Sequence, residues 1–310
     1  MDNEETANGE PTTGGGVTMS ETVGVVGLGN IGGRIAEVLA EAYDIVVFDI
    51  DPARVEALEQ QGATAADSGA DVGERADIVF LSLPSDGALH AATLGEDGVL
   101  SGMASGDVLV DTSTVSPGAS ERVADACEAA DVEFLDAPVS GGARNAEKGT
   151  LTVLVGGSDE TVERVRPVLE TISETIHHVG PTGVGVTLKV VNNYVLGLNQ
   201  LVLFEALSMA RAAGVDDETF AETLADSSGA SYALDRDMER FVIPDEYDSE
   251  FTLSLMRKDV SLAESFAADN DVPLLLGGGS GLYRVGEAMG YGELDASAVV
   301  KLYEALGSEP

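Results

Sequence analysis

The stretch that decides the fold is Thr22-Val23-Gly24-Val25-Val26-Gly27-Leu28-Gly29-Asn30-Ile31-Gly32-Gly33. A short apolar run, Thr22–Val26, reads as a buried strand, and Ile31–Ala42 reads as the amphipathic helix after it. Between them Gly27, Gly29 and Gly32 have GxGxxG spacing. In a chain with 37 glycines that spacing alone is weak. Its place between strand and helix makes it informative, and a second strand, Ile45–Asp49, ends in an acid at the offset of a ribose ligand. Gly27 makes the tight turn, Gly29 lets backbone approach a pyrophosphate, and Gly32 lets helix and strand pack closely. Leu28, Asn30 and Ile31 complete the loop, whose backbone N–H groups at the helix start face the phosphates. The expectation is a bound nicotinamide dinucleotide.

Asp49 also chooses between dinucleotides. Its carboxylate can accept from both hydroxyls of an adenosine ribose, whereas a 2′-phosphate would meet that charge and Asp51. Arg54, one turn on, can offset this in part or pair with surface acids. The reading favours NAD over NADP.

Strand and helix keep alternating beyond this unit. Pro52–Gln61 is a helix with proline in its first turn. Asp77–Leu83 and Asp107–Asp111 are strands, a helix opens near Pro117, and Val132–Asp136 leads into a glycine-rich turn. Leu151–Val155, Asp159–Glu170 and Thr175–Val179 form a second strand–helix–strand series. Such a series calls for a mostly parallel sheet covered on both faces. After Gly180 only helical patterns are found: a long apolar one over Leu188–Gly214, then 216–226, 230–241, 252–269, 273–289 and 296–306. The fold class is therefore α/β, a Rossmann-type dinucleotide-binding domain over 21–181 followed by an all-helical domain over 182–310. Residues 1–20 read as a disordered acidic leader. The long helix is apolar over more surface than one neighbour covers, so a homodimer or homotetramer is expected.

Composition bounds the partners. The 310 residues carry 55 Asp and Glu against 16 Lys and Arg, a formal net charge of −39. Such a field repels nucleic acid and anionic membranes. Acid spread through every segment resembles the surface of a protein from a high-salt cytoplasm, where repulsion is screened over roughly 3 Å at about 1 M salt. The lysines are Lys148, Lys189, Lys258 and Lys301; in so lysine-poor a chain each one kept invites a role. Cys127, the single cysteine, suits a small buried site. With neither a signal-peptide pattern nor an apolar run near 18 residues, the expected location is cytoplasmic.

Two further segments carry chemistry. Ser140-Gly141-Gly142 follows the Val132–Asp136 strand and can present a hydroxyl and successive backbone N–H groups to a small carboxylate-bearing substrate; a plain glycine turn is the alternative. Gly180-Pro181-Thr182-Gly183-Val184-Gly185 then leads to Lys189, whose glycines would let the chain pass close to a ligand. A lysine in that apolar helix is costly unless satisfied, and burial lowers its pKa toward proton-transfer values. Asn193, four residues on, shares its face; Asn192 is as well placed for backbone or interface groups. Leu83 and Pro84 should line the cofactor crevice. Ser113 and Thr114 can reach the nicotinamide side or cap the helix after Pro117. His177 and His178, adjacent on a strand, point to opposite faces and chelate poorly; this chemistry needs no metal.

From about residue 21 to 306 the chain resembles the β-hydroxyacid dehydrogenase family, which includes 3-hydroxyisobutyrate dehydrogenase and tartronate semialdehyde reductase. Four motifs occur in family order: the Gly27–Gly32 loop, Asp136–Gly142 with Gly149-Thr150-Leu151, Gly185/Lys189/Asn193, and Phe251…Leu255-Met256-Arg257-Lys258-Asp259. The resemblance implies a catalytic Lys189, substrate groups at Ser140, Gly141, Gly142 and Asn193, and a cofactor flanked by Thr114, Lys258 and Asp259. It implies reversible hydride transfer between NAD and a small 3-hydroxy acid, with Lys189 as general acid/base. Either 3-hydroxyisobutyrate or a more polar partner such as tartronate semialdehyde fits.

Departures narrow the branch. Decarboxylating 6-phosphogluconate dehydrogenases carry histidine and glutamate where this chain has Asn192 and Leu196, and related imine reductases usually lack the lysine. Relatives often have glycine at Asn145, which tolerates left-handed dihedrals. Tyr232 and Arg236 could touch substrate, pack in the core or form a surface ion pair. Arg144, Arg236 and Arg240 are the cations open to a more highly charged substrate. A non-catalytic dinucleotide sensor would explain the glycine loop and Asp49 but gives no reason for Lys189, Asn193 and Ser140 together.

Overall fold

The structure, a computed structural model, describes residues 21–248 and 251–307, so the expected leader lies outside the described residues. In chain order the first domain runs β1 (Val23–Val26), α1 (Gly32–Ala40), β2 (Ile45–Phe48), α2 (Pro52–Glu59), β3 (Thr64–Ala65), α3 (Gly69–Arg75), β4 (Ile78–Leu81) and α4 (Asp86–Leu94). It continues with β5 (Val108–Asp111), α5 (Pro117–Ala129), β6 (Glu133–Asp136), β7 (Val139–Ser140), α6 (Gly142–Glu147), β8 (Leu151–Gly156), α7 (Asp159–Ile172) and β9 (Ser173–Gly180). The nine strands build one sheet of order β3-β2-β1-β4-β5-β6-β8-β7, with β9 also paired to β8. Strands β1 to β6 are parallel, while β8 runs antiparallel to β6 and β7. The order reverses between β1 and β4, and a crevice opens at the carboxyl ends of the strands at such a point.

Both faces of the sheet are covered. Ile35 and Leu39 of α1, Ala146 of α6 and Val162, Val165 and Leu169 of α7 pack on one face. Val72 of α3, Leu89 of α4 and Val123 and Cys127 of α5 pack on the other. Burial pushes the Cys127 thiol up to about 12, so it behaves as a small apolar side chain.

Several helix starts follow local chemistry. Asp51 caps α2 ahead of Pro52, Ser85 caps α4, and Ser116, directly before Pro117, caps α5. Ser113 and Thr114 therefore do not cap α5. Asn145 adopts no left-handed conformation, because it sits inside α6.

Past Gly180 the described residues are helical: α8 (Val184–Ala212), α9 (Asp217–Ala225), α10 (Leu253–Asp269), α11 (Gly279–Ala288) and α12 (Val300–Gly307). Helix α11 begins six residues later than the pattern over 273–289 suggests. The segment expected as a helix over 230–241 is instead a wide π-helical turn at Leu234–Val242. Helix α8, with 29 residues and about 44 Å long at 1.5 Å per residue, is the spine of this half. Phe204 and Leu207 of α8, Met256 of α10 and Tyr283 of α11 are fully buried around it.

Candidate functional site

Helix α1 opens from the glycine loop with no side-chain cap, and its N-cap residue Ile31 lines the crevice. The loop glycines divide the work unequally. Gly27 has φ +90°, and a Cβ there would meet the Ser82 carbonyl oxygen at 2.4 Å; one on Gly32 would meet the Gly27 carbonyl oxygen at 1.9 Å. Those two are demanded by packing. A Cβ on Gly29 would have only Arg54 Nη1 near it, at 3.7 Å, so what it would fill is the crevice itself. Open space before an uncapped helix start fits a pyrophosphate.

Asp49, just past β2, is nearly buried. Its Oδ2 accepts from Leu28 N at 2.6 Å and its Oδ1 from Asp51 N at 2.8 Å. Each oxygen keeps a further lone pair for a ribose hydroxyl. Arg54 is tethered to both acids, 3.5 Å from Asp49 Oδ2 and 3.4 Å from Asp51 Oδ2.

The crevice encloses about 910 Å³ and spans both domains, near the top of the roughly 300–1,000 Å³ range of small-ligand sites. Gly27, Gly29, Asn30, Ile31 and Asp49 line one end, with Leu83, Pro84 and Thr114 beyond them. Lys189, Asn193, Lys258 and Asp259 line the helical side, facing Gly141 and Gly142. Three residues expected at the site stand behind this lining. Leu28 holds Asp49, Gly32 packs under the loop, and Ser140 pairs with Thr152 in the β7–β8 ladder. Gly141 and Gly142 have φ +129° and +73°, conformations that favour glycine, where β7 turns into α6.

The sequence reading missed the far end of the crevice. Ile50, 94% exposed, lines it together with Ala88, Ala91 and Ala92 of α4, Asp67 and Asp97. Its one available signal was an isoleucine directly after the Asp49 strand, with no apolar partner in the pattern.

Lys189 enters the site on the second turn of α8, and the sheet fixes that helix. Asp136, at the end of β6, accepts from Gly183 N and from Val186 N, both at 2.7 Å. A Cβ on Gly185 would strike the Leu154 carbonyl oxygen at 2.4 Å and Asp136 at 2.8 Å. Gly185 thus serves close approach of α8 to the sheet, where the sequence suggested approach to a ligand. Lys189 is buried, and that burial lowers its ammonium pKa to about 8, with Asp259 opposing and Lys258 reinforcing the shift. Asn193, on the same face, donates from Nδ2 to Asp259 Oδ2 at 2.6 Å and accepts from Asn192 Nδ2 at 3.0 Å. Lys258 Nζ lies 3.1 Å from Asp259 Oδ1 and donates to the Thr114 carbonyl at 2.6 Å, which ties α10 to the loop after β5. Ser113 Oγ accepts from Leu83 N at 2.9 Å and so holds the next loop in place.

Other candidates fall outside the crevice. Arg236 forms no surface ion pair: its side chain, 11% exposed, lies between the buried Asp237 at 2.5 Å and Asp295 at 2.8 Å. Tyr232 is exposed, as is Arg144. His178 Nε2 is 3.0 Å from the Gly157 carbonyl oxygen and its Nδ1 is 3.4 Å from Asp159.

Comparison with known proteins places this geometry. Residues 22–180 match the family described as the NAD binding domain of 6-phosphogluconate dehydrogenase. Residues 183–303 match that described as NAD-binding of NADP-dependent 3-hydroxyisobutyrate dehydrogenase. The chain is 39% identical to 2-(hydroxymethyl)glutarate dehydrogenase of Eubacterium barkeri, over 92% of this chain and 95% of the relative. It is 36% identical to 3-hydroxyisobutyrate dehydrogenase of Pseudomonas aeruginosa, over 91% and 98%. The solved structure of Mycobacterium tuberculosis 3-hydroxyisobutyrate dehydrogenase with L-serine superimposes with a TM-score of 0.85 at 28% identity, covering 92% of this chain and 99% of that one. Structures of imine reductases at 20% identity or less share the fold. With an NAD-binding domain closed by a helical domain, and with relatives matched over almost their whole length, the chain belongs to the β-hydroxyacid dehydrogenase family of oxidoreductases.

Proposed function

We propose that this protein reversibly oxidises a small 3-hydroxy acid of the form HOCH2–CHR–COO⁻ to its semialdehyde, with Lys189 handling the hydroxyl proton. The observation that carries the reading is Lys189 itself: a buried amine with a pKa near 8, in the same crevice as the glycine loop and Asp49. The relatives named for 2-(hydroxymethyl)glutarate and 3-hydroxyisobutyrate share the HOCH2–CHR–COO⁻ core in their substrates. A nicotinamide dinucleotide, held by the Gly27–Gly32 loop and Asp49, supplies the hydride acceptor for oxidation and the donor for reduction.

The protein's own groups do the rest. Backbone N–H groups at Gly141 and Gly142 receive the substrate carboxylate, on the turn that Ser140 anchors in the β7–β8 ladder. In oxidation neutral Lys189 Nζ takes the hydroxyl proton; in reduction the ammonium returns it and stabilises the forming alkoxide. Asn193, braced by Asp259, orients the substrate oxygen toward Lys189. Val139, Phe251 and Leu255 line the same crevice and favour an apolar R such as methyl. Besides Lys189, the cations on the lining are Arg54, held at Asp49, and Lys258, held by Asp259 and Thr114, so a second substrate carboxylate is poorly served. Asp49 favours NAD, since a 2′-phosphate would sit against its charge.

The working form is a homo-oligomer in a salt-rich cytoplasm. Leu188, Val191, Val195, Val202 and Met209 leave an exposed apolar stripe along α8, and no helix of the described residues is long and apolar enough to cross a membrane. The test is a panel of 3-hydroxyisobutyrate, 2-(hydroxymethyl)glutarate, L-serine and tartronate semialdehyde, scored by kcat/KM with both dinucleotides in about 1 M salt. The highest value is expected for 3-hydroxyisobutyrate with NAD. Absence of dinucleotide turnover with every member would overturn the reading.

A further inference from the structure

We propose that Asn192 is a positioning residue of this site: its carboxamide holds the Asn193 amide in the sense that Asp259 demands, and through it the placement of Asp259 beside Lys189. The inference rests on the reading of Lys189 and Asn193 as working groups.

The argument begins at Asp259, which as a carboxylate can only accept. The Asn193 group 2.6 Å from Asp259 Oδ2 is therefore the Nδ2 amine, and Asn193 Oδ1 must face the other way. Asn193 is only 3% exposed, and a buried carbonyl oxygen needs a donor. Asn192 Nδ2 supplies it at 3.0 Å, from the solvent side of the same helix. The row then continues through Asp259 Oδ1 to Lys258 Nζ, 3.1 Å away, and on to the Thr114 carbonyl at 2.6 Å. One exposed amide thus anchors a chain of polar contacts that crosses the crevice from α8 through α10 to the loop after β5.

Removing the Asn192 donor leaves the buried Asn193 Oδ1 without its partner, which loosens the amide and lengthens its hydrogen bond to Asp259. The charged groups acting on Lys189 are Asp259 and Lys258. A carboxylate held more loosely by Asn193 acts more strongly on the Lys189 ammonium and holds its proton more tightly.

Asn192→Leu tests this. Leucine suits the surrounding apolar stripe of Leu188, Val191 and Val195, so fold and assembly should both hold. Turnover should fall about tenfold, the equivalent of one hydrogen bond. The limb of the pH profile that reports Lys189 should move to higher pH. The NAD dissociation constant, read by fluorescence quenching without turnover, should stay within about twofold, since Asn192 lies off the dinucleotide loop. Asn192→His, whose Nδ1–H has the reach of Nδ2–H, should recover most of the turnover. Wild-type turnover and pH profile in Asn192→Leu would overturn the proposal. So would a loss that tracks a lowered Tm and is not regained with histidine. Lys189→Ala, assayed alongside, separates the two layers. If it keeps its activity, the underlying function is wrong; if it is inactive while Asn192→Leu is normal, only the role of Asn192 falls.

Discussion

Asp136 Oδ2 accepts a 2.7 Å hydrogen bond from the backbone N–H of Val186, three residues before Lys189. With the second bond from Gly183 N, this carboxylate on a strand end acts as the N-cap of a helix in the other domain. The residue at the N-cap position, Gly183, has φ +91° and no side chain to do so. A negative charge is also favoured there by the helix dipole. Asp136→Asn keeps the shape but turns an amide N–H toward one of two backbone N–H groups. Loss of a hydrogen bond to a charged group costs about 1.5–3 kcal/mol. The expected outcome is a lower urea midpoint together with reduced turnover, because the helix that carries Lys189 loses its anchor. Unchanged kinetics in a destabilised variant would confine Asp136 to stability.

Lys189→Met should lower turnover by at least about 100-fold, the small end of general acid/base effects. The NAD dissociation constant should change little, because the lysine lies across the crevice from the glycine loop. The same variant should be more thermostable at pH 7. The folded pKa, about 8, lies below the usual lysine value of 10.5. The unfolded chain therefore binds more protons between those values, and folding stability rises with pH across that window. Below pH 8 the whole cost of burying the ammonium is present, and methionine removes it. A differential scan at pH 7 and pH 10 checks this, with a smaller gain at the higher pH.

That pKa also sets opposite pH dependences for the two reaction directions. Oxidation needs the neutral amine, so kcat/KM for the hydroxy acid should climb as pH rises through about 8. Reduction needs the ammonium, so kcat/KM for the semialdehyde should fall over the same interval. Profiles that rise and fall together would assign the titration to some other group.

The parts of this molecule legible in its sequence are those whose signals are local. The glycine loop, Asp49, and Lys189 with Asn193 four residues on each declare themselves within about one turn or one strand. What stayed hidden depends on partners distant in sequence. The helix cap on α8 comes from Asp136, 47 and 50 residues from the N–H groups it holds. Arg236 pairs with Asp237 next to it but also with Asp295, 59 residues away, and that second partner had no local sign. Helix α3 carries little local signal, since Gly73 in its middle counts against a helix. The structure requires that glycine, since a Cβ there would meet the Val99 carbonyl oxygen at 2.3 Å. Ser113 was weighed as a cap from its distance to Pro117, but Ser116 stands closer and takes the role.

Cofactor choice should turn on Asp49 and its partner Arg54. The guanidinium lies 3.5 Å from Asp49 and 3.4 Å from Asp51, beside the carboxylate proposed to take the ribose hydroxyls. Asp49→Ser removes the repulsive charge, keeps a hydroxyl for the ribose and leaves Arg54 free to pair with the phosphate. The NADP-to-NAD ratio of kcat/KM should rise at least about tenfold, the worth of one charge-assisted contact. A wild-type enzyme that already uses both dinucleotides equally would remove Asp49 from this role.

Assembly should depend on the apolar stripe of α8. Val195, Val202 and Met209 follow one another at seven-residue spacing, so they share a face, and they are 52%, 61% and 70% exposed. From Val184 to Phe204 this helix carries no acidic residue, in a chain with 55 of them. A charge-free stripe against that background should serve as a contact face, because contiguous exposed apolar surface mixes poorly with water. A second copy of the chain is the fitting occupant, as a two-fold axis lets the same stripe meet itself. Val202→Glu would place two like charges at that contact and desolvate both. Light scattering in molar salt should show the wild type as a dimer or tetramer and the variant as a monomer. A monomeric wild type, or a variant whose assembly is unchanged, would show that α8 is not the joining face.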